Sequence, residues 1–169
     1  QKAGLPDHVP GATVNRFCSS GLQTIVMASQ AIATGQADVV VAGGTESMSQ
    51  VPMSGFFFQP DPDLVQDDPD VYVSMGITAE NVAEEYDVSR DDQDRFALQS
   101  HQRAVDAIDA GRFDDEIVPL HVEETLMNGG HAPQTIEVDF DTDEGPRRDT
   151  SLEALGGLRP VFKQGGTVT

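Results

Sequence analysis

The sequence predicts an α/β fold class, and three observations carry that reading. A short apolar stretch, Ala12-Thr13-Val14, leads into a segment of helical periodicity from Ser19 to Thr34. A β-branched run, Ala37-Asp38-Val39-Val40-Val41-Ala42, follows it and has the composition of a buried central strand. From Met48 onward the text changes: prolines and acidic residues come first, then two helical segments and two strand-like runs, the pattern of an α+β segment appended to the strand–helix–strand unit.

Residues 1–11 read as loop, with Pro6, Pro10 and Gly11. In the first helical segment Leu22, Ile25, Val26, Ile32 and Ala33 recur near the 3.6 period, with Gly21, Ala28, Ser29 and Ala31 beside them, so the helix can be packed closely on more than one side. Gly35 supplies its stop. Cys18, the only cysteine, stands at or next to its head. A lone cysteine is most often an inert, buried small hydrophobe. At a helix N-terminus, however, free N–H groups and the helix dipole favour an anion, and a thiolate is an anion that attacks carbonyl carbon.

Past Met48, Pro52, Gly55, Pro60, Pro62 and Pro69 break the chain, and residues 61–70 form an acidic loop. Phe56-Phe57-Phe58 reads as a loop anchor buried locally, with an acyl-chain tunnel or a subunit contact as the functional alternative. A helix is expected over 77–86, with Ile77, Val82, Ala83 and Tyr86 on its apolar side and Glu80, Glu84 and Glu85 on the other. Ser89-Arg90-Asp91-Asp92 resembles a capping box opening a helix that buries Phe96, Ala97, Ala104, Val105 and Ile108 and stops at Gly111. Strands are expected over 117–123 and 134–139 around an Asn128-Gly129-Gly130 turn, and a short helix over 151–155.

The net charge is −19, from 10 basic and 29 acidic residues, which argues against nucleic acid or an anionic membrane as partner because both need a basic face. Lys2 and Lys163 are the only lysines; the surface is that of a protein adapted to high salt or of an ordinary acidic cytosolic one. One cysteine excludes a disulfide framework within the chain and fits a reducing, cytoplasmic location. No run of about 18 apolar residues is present, so no membrane span is expected.

Val14-Asn15-Arg16-Phe17-Cys18-Ser19-Ser20-Gly21-Leu22-Gln23, followed by Ala42-Gly43-Gly44-Thr45-Glu46-Ser47-Met48-Ser49, resembles the nucleophile region of the thiolases. The resemblance continues through residues 75–83, 89–94, 111–119 and 158–162 with 166–169, leaving only 57–73 and 126–142 without a clear counterpart. It implies the thiolase-like five-layered α-β-α-β-α core, of which residues 1–47 are part of the N-terminal half with the nucleophile helix. Residues 48–169 would be the loop domain that covers the active site and CoA. Thiolases are more than twice this long, so the chain is expected to be an internal piece and, alone, inactive. The resemblance further implies a homodimer or homotetramer, with residues 43–49 similar to the segment that reaches toward a partner's active site.

The resemblance assigns Cys18 as nucleophile, carrying the acyl group as a thioester, with its backbone N–H in the oxyanion hole. Coenzyme A and acyl-CoA are implied as substrates, with no permanently bound cofactor and no metal. Met75 corresponds to a Met at the acyl end of the site, Arg147 to an Arg along the adenine end of CoA, and Phe162 to a Phe beside the pantetheine arm, with Leu158 near it. A planar guanidinium suits a base face and a phosphate. The family's two catalytic histidines and second cysteine have no counterpart: His8, His101, His121 and His131 match none of the motifs and are expected as loop or surface residues. Ser74, Ala154, Leu155 and the Cys18-Ser19-Ser20 run lean toward the degradative 3-ketoacyl-CoA thiolases. Acetoacetyl-CoA synthesis by the same chemistry, and a non-catalytic thiolase-like CoA-binding scaffold, remain as alternatives.

Overall fold

A computed structural model describes residues 2–127 and 133–169. The chain divides into two compact units, Gln1–Asp63 and Leu64–Thr169. The first is built on helix α1 (Ser20–Ala33), entered through a 3-10 turn at Phe17–Ser19. Its end forms a Schellman motif: the Gly35 N–H donates to Ile32 O (3.1 Å) and the Gln36 N–H to Ala31 O (2.9 Å). Gly35 takes φ +71°, which any side chain would strain, so the expected stop is where a glycine is needed. The short helix α2 (Pro62–Asp67) spans the sequence boundary between the units.

The expected strands at 12–14 and 39–41 make no ladder. Val39 and Val41 are 84% and 96% exposed. A strand exists only through a paired neighbour, and among the described residues none runs beside these segments. Phe56 and Phe57 likewise stand out in solvent, the latter 91% exposed, so they do not anchor their loop.

The second unit contains helix α3 (Met75–Glu85), helix α4 (Arg90–Asp109), the antiparallel pair β1 (Leu120–Leu126) and β2 (Gln134–Phe140), and helix α5 (Leu152–Gly156), which packs on α4. The strands pair in the register Leu120 with Phe140 to Leu126 with Gln134. The Asn128-Gly129-Gly130 turn and His131 lie outside the described residues. Each of the three helices starts on a serine: Ser74 accepts from the Ile77 N–H (3.4 Å), Ser89 from the Asp92 N–H (3.1 Å) and Ser151 from the Ala154 N–H (3.1 Å). Ser89 also donates its hydroxyl to the Asp92 carboxylate at 2.6 Å, so the two residues of the expected box are paired. Helix α4 ends in a second Schellman motif at Gly111, φ +63°.

Two expectations about helix faces change. On α4, Ala97, Ala104, Val105 and Ile108 are half-buried, but Phe96 is 75% exposed. On α3, Ile77 and Ala83 are half-buried and Glu84 and Glu85 exposed, but Glu80, at 4%, is the most buried of the described residues, because backbone N–H groups solvate its carboxylate. Asp94 is the other buried residue among those described, held by Arg90 at 2.8 Å. No hydrophobic residue among those described is fully buried. No described helix is long and apolar enough to cross a membrane.

Candidate active site

The head of α1 is set by a tight, overdetermined turn. Asn15 Oδ1 accepts from the Phe17 N–H (2.9 Å), and the Ser19 N–H donates to Arg16 O (3.0 Å). The Ser20 hydroxyl donates to Phe17 O (2.6 Å) and accepts from the Arg16 N–H (2.9 Å). These bonds hold Phe17 at φ +47°, a conformation bulky residues rarely enter. The outcome is a sharp corner that presents Cys18, exposed and unpaired, at the start of the helix. Its N–H makes no hydrogen bond among the described residues and is free to donate to a ligand oxygen.

Cys18 opens onto a depression of about 390 Å³. Phe17, Gly21 and Asn15 form one wall, and Gly44, Thr45, Glu46 and Met48 another. Thr24 ties the two walls together by donating to Gly43 O (3.3 Å) as well as to Gly21 O (2.8 Å). The loop beyond folds back at Ser47, whose carbonyl accepts from the Val51 N–H (2.8 Å). An exposed thiol, a free backbone donor beside it and a concave wall are what acyl transfer through a thioester requires.

The four other site residues read from the sequence lie in the second unit. Met75 is the first residue of α3 and is exposed. The Phe162 ring lies against Gly76, the residue after Met75, where any Cβ would collide with it. The carbonyl of Leu158 accepts from Arg90 Nη2 (3.2 Å), which also bonds Leu155 O. Arg147 is exposed, its guanidinium unpaired among the described residues, while its N–H donates to His101 Nδ1 (3.1 Å). The neighbouring Arg148 differs: Asp109 takes both ends of its guanidinium at 2.7 and 2.9 Å.

His101 is thus a half-buried acceptor that fixes the Arg147 backbone, not a free surface residue. His121 is a surface residue as expected, paired across the strands with Asp139 at 2.8 Å. Asn15, Ser20 and Glu80 were not singled out from the sequence. The first two carried a usable signal, since Asn and Ser flanking a helix start bond local backbone; Glu80 carried none that a local pattern reveals. No cluster of potential metal ligands occurs among the described residues.

An exposed cysteine at a helix head, facing a wall that includes Gly44, has the geometry of a covalent acyl-transfer type of site. The thiolase N-terminal domain family matches residues 1–169, and the chain belongs to that family. It is 51% identical over 167 residues to a Bacillus subtilis 3-ketoacyl-CoA thiolase, covering 99% of this chain and 43% of that one. It is 43% identical over 180 residues to an acetyl-CoA acetyltransferase of Allochromatium vinosum, covering 99% and 44%. Among solved structures it superposes on the Bacillus anthracis acetyl-CoA acetyltransferase with a TM-score of 0.78 at 41% identity, and on human mitochondrial 3-ketoacyl-CoA thiolase with 0.75 at 41%. Both superpositions cover 99% of this chain and 43% of the other. The chain therefore has the thiolase fold over its length and spans less than half of the relatives it matches.

Proposed function

We propose that this chain is the nucleophile-bearing part of a 3-ketoacyl-CoA thiolase. The observation that carries the proposal is Cys18, exposed at the head of α1 beside its own unbonded N–H, in a chain of the thiolase family. In the degradative direction the Cys18 thiolate attacks the C3 carbonyl of a 3-ketoacyl-CoA, and the C2–C3 bond breaks. Its electron pair stays on C2 as the acetyl-CoA enolate, which takes up a proton and leaves. The shortened acyl group remains on sulfur until the thiol of free CoA attacks the thioester, forming acyl-CoA and restoring the thiolate. Dividing the reaction this way avoids one difficult step. The Cys18 N–H is suited to the acyl oxygen as that oxygen gains charge; loss of such a donor costs on the order of 3 kcal/mol elsewhere.

Residues 1–47 are assigned to the catalytic core and 48–169 to the domain that holds CoA through Met75, Arg147, Leu158 and Phe162. The unpaired Arg147 guanidinium supports its part, being available for adenine or phosphate. CoA is a substrate here, and no resident cofactor is invoked. The groups that move the proton are assigned outside these residues, so residues 1–169 alone are inactive. The working enzyme is a cytoplasmic homodimer or homotetramer.

The test is mass spectrometry of the whole protein mixed with a 3-ketoacyl-CoA series. An acyl adduct on the Cys18 peptide, lost on adding CoA and absent in Cys18→Ala, is expected. Loading of chains longer than acetyl separates the degradative thiolase from an acetoacetyl-CoA-forming enzyme. No adduct with any member would leave the CoA-binding scaffold as the better account.

A further inference from the structure

We infer that Glu80 is a positioning residue for the coenzyme A arm, acting through the loop that carries Phe162. The inference rests on the reading of Phe162 as a CoA contact. Glu80 Oε1 accepts from the N–H groups of Thr167 and Val168, each at 2.9 Å. Oε2 accepts from the Thr167 N–H at 3.0 Å and from its hydroxyl at 3.3 Å. Gln93 Nε2 donates to the same hydroxyl at 3.0 Å. The far side of the loop is then tied to the near side: the Val161 N–H donates to Val168 O (3.3 Å), and the Gly166 N–H to Lys163 O (3.0 Å).

Phe162 therefore stands at the neck of a closed loop whose return segment is fixed to α3. Gly76 and Glu80 are one helical turn apart, on the same face of α3. The Phe162 ring lies on the first and Gly166 on the second, and both glycines are too close to their neighbours to admit a Cβ. Lys163, between them, adds a contact to Glu84 at 2.7 Å. A clamp that served only stability could be apolar, because replacing a buried ion by hydrophobic groups is often neutral or stabilising. A carboxylate accepting from two successive N–H groups instead sets the register of one backbone against another, since charge-assisted bonds are short and directional. That register places the Phe162 ring against Gly76 in the first turn of α3.

The test uses the whole protein and the variants Glu80→Gln, Phe162→Ala and the double. Two rates are measured: thiolysis as a function of CoA concentration, and acylation of Cys18 by an aryl thioacetate, which has no CoA arm. Glu80→Gln is expected to raise the KM for CoA about tenfold, with aryl acylation unchanged and no further rise in the Phe162→Ala background. Thr167→Val, which keeps both N–H donors, is expected to raise it by a smaller factor and serves if Glu80→Gln does not fold. An unchanged KM in either variant, a parallel fall in aryl acylation, or independent effects of Glu80 and Phe162 overturns the inference alone. A wild-type enzyme that does not saturate with CoA overturns the CoA reading as well.

Discussion

Glu80, Glu84, Asp92 and Asp109 all have carboxyl pKa values below the ordinary range, each for a specific bond. For Glu80 the N–H of Thr167 contributes most, then that of Val168. For Glu84 the cause is the Lys163 ammonium, for Asp92 the Ser89 hydroxyl and then Arg95, and for Asp109 the Arg148 guanidinium. A depressed folded pKa means that the unfolded chain binds more protons in acid. The stabilisation is fully present above the unfolded values of about 4, and it is lost as pH falls through the lower folded ones. The second unit is expected to keep its helical circular dichroism from neutral pH to about 5 and to lose it steeply below 4. Three of the four groups are solvent-facing and contribute little; Glu80 is the buried one, so Glu80→Gln should flatten the acid limb while Asp109→Asn leaves it nearly intact. Equal flattening by both would show that burial is not what makes Glu80 matter.

Helices in this chain are bounded by short-range chemistry. Ser89 accepts one of the orphan N–H groups of α4, and its replacement by Ala is expected to cost about 1 kcal/mol. Gly111→Ala forces a Cβ into the left-handed region and against the Asp114 carboxylate, costing roughly 1–2 kcal/mol. Urea unfolding followed at 222 nm would measure both, and a midpoint unmoved by either would remove the capping account. These boundaries were legible beforehand because cap, helix and stop lie within a few residues of one another, as at Ser89, Gly35 and Gly111. Cys18 at a helix head was legible on the same grounds, together with the motif around it. What was not legible depends on partners far along the chain. Glu80 looks like a solvated helix residue until Thr167, 87 positions later, is laid against it. Residues 39–41 have strand composition, but composition supplies no neighbour to pair with. Phe17 at positive φ follows from four bonds acting together, which no single residue announces.

At the scale of the whole molecule two terms oppose each other. The accessible surface is 14518 Å² for an 18.1 kDa chain. A single compact body of that mass exposes about 8,000 Å², and two separate compact units of these lengths still under about 10,000 Å². The excess holds however the units are disposed, and much of it is apolar: Leu22, Ile25, Val41 and Phe57 are all open to water. Hydrophobic stabilisation is therefore small for residues 1–169 in isolation, and it must act against the mutual repulsion of a −19 charge. The described ion pairs do not offset this, because most are exposed and weak. Salt acts on the two terms in the same direction. It screens the carboxylates, with a Debye length falling from about 10 Å at 0.1 M to about 3 Å at 1 M, and a sulfate salt also strengthens apolar burial. Residues 1–169 are thus expected to bind a hydrophobic dye and melt gradually in dilute buffer. In 2 M KCl the hydrodynamic radius should shrink and the thermal transition sharpen, and an equal ionic strength of sodium sulfate should do more. Sulfate and chloride acting alike would assign the whole effect to charge. A radius and melting curve indifferent to both salts would mean that neither the acidic surface nor the exposed apolar residues limits the stability of the isolated chain.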